Sequence, residues 1–187
     1  MVIIAISGPH GAGKTTIAKS IATAFNLRYL SAGQIFRTLA KERGMSIIEF
    51  TKYVAEHPDI DIMIDELVKK EALKNDIVLD SQLAYKMIEK LKPIRILVIA
   101  RKEDRIKRLM QRENVSYSDA KLEIELRDHG ERKRFKRLYN VDLWNPKDFH
   151  LVINTSKLSR QESMKLGVCL VKELVKMIKD GDDKWLN

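Results

Sequence analysis

The chain has 187 residues, 44% hydrophobic and 33% charged, a balance that excludes intrinsic disorder and allows one domain with a sizeable core. Lys and Arg give a formal net charge of +9, which calls for an anionic partner, nucleic acid being one candidate among several. No apolar run is long enough to span a bilayer, Met1–Ile6 is too short for a signal peptide, and the single Cys169 excludes an internal disulfide. A cytoplasmic, globular protein is expected.

In chain order, the apolar run Val2–Ser7 reads as a buried parallel strand. Gly8-Pro9-His10-Gly11-Ala12-Gly13-Lys14-Thr15 follows it directly, and Thr16 continues into a helix. Two glycines five apart, then Lys and Thr, between a strand and a helix, form the phosphate-binding loop pattern. The glycines let successive backbone N–H groups turn inward on phosphates, and the helix N-terminus adds partial positive charge. Lys14 is placed to reach the β- and γ-phosphate oxygens, and the Thr15 hydroxyl to hold Mg²⁺. A bound nucleoside triphosphate is therefore expected. The helix, Lys14–Phe25, carries Ile17, Ile21 and Phe25 on one face.

A second strand is expected at Arg28–Ser31, followed over residues 34–74 by three helical pieces divided at Gly44 and at His57-Pro58. Asp61 and Asp65, at i and i+4, either line a binding site or form a solvated pair facing lysines. The third strand is Ile77–Asp80. Asp80 stands at its carboxyl edge, where ligands sit in such sheets; it either orients a metal ion or caps the helical segment that follows.

Strand four is Arg95–Ala100, and two basic helices follow, Glu103–Asn114 and Ser118–Leu138. Residues 101–137 hold thirteen Lys/Arg against eight Asp/Glu. Arg101, Arg105, Arg108 and Arg112 share one helical face, opposite Ile106, Leu109 and Met110, and four like charges there repel unless an anion or acids neutralise them. A fifth strand, His150–Asn154, and a last helix from about Ser159 to Lys179 complete the pattern, with a polar tail, Gly181–Asn187, expected to fray. Strands alternating with helices at this spacing give an α/β fold with a five-stranded parallel sheet flanked by helices. The four histidines offer no catalytic set, and Cys169 reads as a small core residue.

Beyond the phosphate loop, Leu30-Ser31-Ala32-Gly33-Gln34-Ile35-Phe36-Arg37 resembles the nucleoside monophosphate kinases, where a Ser/Thr-Gly-x-x-x-Arg element follows the second strand. The similarity is closest to archaeal-type cytidylate kinases. It continues through Arg127-Asp128, Arg132-Lys133-Arg134-Phe135 and Asp142 to Leu151-Val152-Ile153-Asn154-Thr155, covering residues 1 to 178. It implies a single P-loop kinase domain with a core of residues 1–33, 75–111 and 138–187. A helical acceptor-binding insertion at 34–74 and an arginine-rich lid at 112–137 complete it.

The resemblance implies transfer of the γ-phosphoryl of ATP, with Mg²⁺, to CMP or dCMP. Gly8, His10, Gly11, Ala12, Gly13, Lys14, Thr15, Thr16, Arg108 and Arg112 would then hold the triphosphate. Ser31, Gly33, Arg37, Gln82, Asp128 and Arg134 would hold the acceptor. Lys14, Asp80, Arg127 and Arg132 would act on the transferring group, and Thr15 with Asp80 on the metal. In many of these kinases an acid, Gly and Arg stand where this chain has Asp80-Ser81-Gln82, so a positive charge is lost at Gln82.

Alternatives are a related kinase for AMP, UMP or a non-nucleotide acceptor, and an RNA- or ribosome-associated P-loop ATPase. The lid segment lacks interleaved stacking aromatics, so nucleic acid is not the expected partner. Small nucleotides are, with the protein acting as a monomer.

Overall fold

In the computed structural model, which describes residues 2–74 and 76–179, five parallel strands form one sheet. They are β1 (Ile3–Ser7), β2 (Arg28–Ser31), β3 (Ile77–Asp80), β4 (Ile94–Ile99) and β5 (Leu151–Asn154), in the order β2-β3-β1-β4-β5. The central β1, Ile-Ile-Ala-Ile-Ser, is buried throughout, as a strand covered on both faces must be. Its side chains alternate. Ile3 and Ala5 join one core with Leu79, Leu83, Phe50 and Val68, while Ile4 and Ile6 join another with Val78, Ile96, Ile17 and Val171.

The second core is closed by α1 (Lys14–Ala24) and α8 (Arg160–Lys179), the latter opened by a reciprocal Ser159/Glu162 capping pair. The first is closed by α2 (Ala32–Glu42), α3 (Ile47–Glu56), α4 (Pro58–Ala72) and the short α5 (Ala84–Met87). Ser46 and Glu49 form a full capping box on α3, and Pro58 opens α4 where a missing N–H costs nothing. The first helix of the insertion begins earlier than periodicity suggests. Ser31 ends β2 and also caps α2, accepting from the Gln34 N–H at 3.2 Å, so the strand passes into the helix without a loop.

Two helices stand apart from the sheet. In α6 (Lys102–Glu113) and α7 (Tyr117–Tyr139), Ile106, Leu109, Ala120 and Ile124 make a small core of their own. Asn114, left-handed at φ 54°, ends α6, and Ser116 caps α7 through the Asp119 N–H at 3.1 Å. At the far end of α7, Phe135 packs into the first core. The hairpin is thus anchored at its base and self-packed at its tip.

Register fixes where the chemistry gathers. Asp80 lies beside Ile6 and Ser31, and Ser7 beside Leu97, so the carboxyl edge of the sheet carries the phosphate loop, Ser31 and Asp80 together. Among the described residues no helix is long and apolar enough to cross a membrane. The expected fraying of Gly181–Asn187 lies outside the described residues.

Candidate active site

The phosphate loop begins at Gly8, where φ is 144° and an added Cβ would lie 2.0 Å from the Val98 carbonyl oxygen. Any side chain there would displace the loop from β4. At the other end Gly13, left-handed at φ 94°, opens α1 with no side-chain cap, so the first N–H groups of the helix are presented to an anion. Lys14 is buried, its Nζ donating to the Pro9 carbonyl at 2.9 Å. Burial outweighs the attraction of Asp80 and Glu131 and lowers its pKa to about 8.

His10, Gly11, Gly13, Lys14, Thr15 and Thr16 line one end of a cavity of about 890 Å³. Gly8 and Ala12 support the loop from behind, Ala12 fully buried with its carbonyl accepting from the Thr155 hydroxyl at 2.8 Å.

Asp80 sits beside the loop. Its Oδ2 accepts from the Thr15 hydroxyl at 2.6 Å and from the Tyr29 hydroxyl at 3.0 Å. The capping alternative fails, because the next helix starts at Ala84 with Leu83 before it. Burial and then the Asp80 charge push the Tyr29 hydroxyl up to about 12, keeping it a donor to that carboxylate.

The arginine stripe of α6 is engaged residue by residue, three of the four by acids. Arg101 pairs with Asp104 at 2.7 Å and Arg112 with Glu113 at 2.8 Å. Arg108 donates to the Gly11 carbonyl at 3.3 Å and to Thr155 Oγ1 and O at 2.9 and 2.7 Å, tying α6 to the phosphate loop. Arg105 is buried, holding Asp128 Oδ2 at 2.7 Å and the His10 carbonyl at 3.1 Å.

Asp128 is therefore turned to Arg105 and does not line the cavity; the expectation that it meets the acceptor gives way to an interhelical ion pair that clamps α6 to α7. Arg132 is likewise displaced from its expected catalytic place. It is exposed, stacked over the Trp144 ring at 4.6 Å and 3.7 Å from Asp142, on the side of α7 away from the cavity.

The face of α7 that does line the cavity carries Arg127, Glu131 and Arg134, at i, i+4 and i+7. Arg127 is buried and, among the described residues, bonded to Glu123 alone, at 3.3 Å. Glu131 reaches across to the loop, its Oε1 2.6 Å from His10 Nε2, while the Gln82 amide lies 2.7 Å from the same nitrogen. Burial and the Arg127 charge lower the His10 pKa to about 3, so the ring is neutral; despite its own burial, Glu131 stays ionised because His10, Arg127 and Arg134 surround it. The sequence places His10 among the triphosphate-holding residues but gives it no protein partner, and Glu131 is passed over. The available signal is the Arg127/Glu131/Arg134 spacing on one face.

The opposite wall comes from α2 and α4. Ser31, Gly33, Gln34, Phe36 and Arg37 line it, joined by Asp61, Ile64 and Asp65. An added Cβ at Gly33 would meet only ordinary contacts of 3.7 Å, so the protein's own packing does not require that glycine. Arg37 is exposed on the wall, held by Gln34 Oε1 at 3.2 Å. Desolvation and then the charges of Arg112 and Arg127 keep its pKa below the usual arginine value, which marks three guanidinium groups facing one space.

Asp61 and Asp65 are buried rather than solvated. Arg134 Nε lies 2.9 Å from Asp61 Oδ2, and Asp65 accepts from the Tyr139 hydroxyl. Burial, only partly offset by Arg134, raises the Asp61 pKa to about 6.

The cytidylate kinase-like family model matches residues 3–92 and 65–157, spanning both walls of this cavity. The chain belongs to that family. A cytidylate kinase from Staphylothermus marinus is 43% identical over 166 residues, covering 89% of this chain and 94% of that protein. One from Methanocaldococcus jannaschii is 43% identical over 159 residues, covering 83% and 89%. Among solved structures, a shikimate kinase from Bacteroides thetaiotaomicron superposes with a TM-score of 0.62 at 13% identity, covering 94% of this chain and 98% of that one. A gluconokinase from Sinorhizobium meliloti gives 0.62 at 11%, covering 96% of each. At such identities the structures share the fold alone. Family membership agrees with the resemblance carried by Ser31–Arg37 and Arg127–Asp128.

Proposed function

We propose that this member of the cytidylate kinase-like family transfers the γ-phosphoryl group of ATP to CMP or dCMP. The observation that carries the reading is one cavity with two unlike ends, a phosphate loop on one side and the α2–α4 wall on the other, with Asp80 between them. In it an acceptor phosphate oxygen attacks the γ-phosphorus and the bond to the leaving ADP oxygen breaks, so no enzyme nucleophile is needed. The loop amides and Lys14 hold the donor phosphates. Arg37 holds the acceptor phosphate, and Arg127 faces the group in transit.

Thr15 and Asp80 suit Mg²⁺. They offer a hydroxyl and a carboxylate, hard oxygen donors already 2.6 Å apart. Among the described residues no group of three or more His, Cys, Asp or Glu side chains is arranged to hold a metal, which fits an ion that arrives on the nucleotide and keeps its waters. When bound there it would neutralise charge on the phosphates. Residues 34–74 serve as the acceptor-binding part and 112–137 as the lid, the Glu131–His10 contact drawing α7 over the loop.

The α6 arginines are engaged by Asp104, Asp128, Gly11, Thr155 and Glu113, which supports a small nucleotide rather than RNA as the anionic partner. An ADP-release assay across nucleoside monophosphates tests the proposal. Release should depend on acceptor and be fastest with CMP or dCMP. Acceptor-independent hydrolysis, or a preference for a non-nucleotide, would overturn it.

A further inference from the structure

His10 belongs to the phosphate loop, yet both its backbone and its ring are held from outside it. Its carbonyl accepts from Arg105 Nη1 of α6 at 3.1 Å. Its Nε2 lies 2.6 Å from Glu131 Oε1 of α7 and 2.7 Å from the Gln82 amide, just past β3. The ring is neutral and Glu131 ionised, so the ring proton sits on Nε2 and is donated to the carboxylate, which can only accept. An N–H cannot also accept from Gln82, whose Oε1 is buried and, among the described residues, has no partner. With the amide turned so that Oε1 faces the ring, Gln82 shares the same hydrogen. An arginine at position 82, which many of the resembling kinases carry, could only donate and would confront that hydrogen. His10 and Gln82 therefore fit one another.

The partner helix needs such a contact. Between Ile124 and Phe135, which pack in apolar clusters, the buried residues of α7 are Arg127, Glu131 and Arg134, all charged. Polar contacts, not an apolar ridge, therefore fix the rotation of this stretch. Gly130 lies inside it, where an added Cβ would meet only Thr51 at 3.9 Å, and a glycine in a helix interior weakens the helix. Rotation by one residue, about 100°, would turn Asp128 to where Arg127 stands. Arg127 precedes Glu131 by one turn on the same face, so a helix pinned at Glu131 also holds Arg127. The Arg127 guanidinium is close enough to act on the charge of both His10 and Lys14. Resting on the phosphoryl-transfer reading above, we infer that His10 is a positioning residue: its ring holds Glu131 and so sets the rotation of α7 that keeps Arg127 facing the phosphate loop. His10 acts on the reaction through Arg127 and touches no reacting atom.

The test measures kcat and both KM values for His10→Gln, whose amide nitrogen reaches the place of Nε2, and for His10→Asn, whose amide falls short of it. His10→Asn should lower kcat at least about tenfold, the scale of a misplaced catalytic group, with KM for ATP and for CMP within about threefold of wild type. His10→Gln should keep kcat within about threefold of wild type. In an Arg127→Ala background the two variants should differ by less than about twofold, because the group that His10 positions is gone. Both variants replace the ring by an amide, so a loop that merely needs a polar residue treats them alike. Equal kcat for the two with Arg127 present, whether both are active or both impaired, would overturn the inference. So would a rise in KM for ATP that matches the fall in kcat, which would make His10 a plain triphosphate contact, or a difference between the variants that persists in Arg127→Ala. Each of these results leaves the kinase reading intact. A wild-type protein that phosphorylates no nucleoside monophosphate would overturn both.

Discussion

Lys14 carries a charge that the fold itself disfavours. Burial lowers its pKa to about 8, so in the free protein it loses its proton as the pH rises through that value. Triphosphate oxygens at Nζ would favour the charged form, and binding should then take up a proton near pH 8 and almost none from this group near pH 6. Affinity should accordingly weaken as the pH rises through about 8. Calorimetry in two buffers of different ionisation enthalpy reads the uptake, and Lys14→Met should abolish it. Uptake that does not change between about pH 6 and 9 would remove Lys14 from the phosphate site.

Arg37 makes a separable claim at the same scale, because its guanidinium lines the acceptor end and, among the described residues, is held by Gln34 alone. Arg37→Ala should weaken CMP binding about ten- to a hundredfold, the loss of one charge-assisted contact, and leave ATP within about twofold. Equal losses for both nucleotides would make Arg37 structural. These residues were legible as parts of local motifs. Glu131 was not, and Asp61 was legible only as one of two alternatives, since an acid in a charged helix normally faces water. What buries them is distant in sequence: the phosphate loop beneath α7 in one case and Arg134 against α4 in the other.

At the scale of elements, the α6–α7 hairpin joins the rest of the molecule through two kinds of contact. Phe135 anchors the end of α7 in the main core, while the remainder rests on polar links: Glu131 to His10, Arg105 to Asp128 and the His10 carbonyl, Arg108 to Gly11. Polar links of this kind open more readily than an apolar core. Amide exchange over residues 112–137 should therefore slow when ATP and CMP are both present, most toward the tip near Asn114, while β1 changes little.

Arg127→Ala should lower kcat by about two decades, ~3 kcal/mol, and change either KM less, because its one weak ion pair leaves most of the guanidinium for the transferring group. Slow exchange in this segment without nucleotide, or full turnover by Arg127→Ala, would reduce the hairpin to a static basic face. The helices themselves were readable from periodicity, and their ends from Ser and Asn caps. Which side of α7 faces the cavity was not. Arg132 and Asp128 belong to the same charged run as Arg127 and Arg134, and only the packing of α7 against α3 and α6 sorts them.

For the whole molecule, the sheet order follows from rules the sequence obeys: five apolar strands, helical crossovers between them, and a phosphate loop after the first. The cavity does not follow from those rules, because its walls come from segments far apart in the chain, among them the phosphate loop, α2, α4, the end of β3, α6 and α7. The net charge of +9 finds its place here too, since many basic side chains around the cavity are matched by neighbouring acids and carbonyls. The central claim is that this cavity brings two nucleotides together and moves a phosphoryl group between them. Phosphorus NMR of the protein with MgATP and CMP tests it directly. The γ-phosphate signal of ATP should fall as a β-phosphate signal of CDP rises in equal amount, with little inorganic phosphate. Inorganic phosphate appearing in place of CDP would contradict the account.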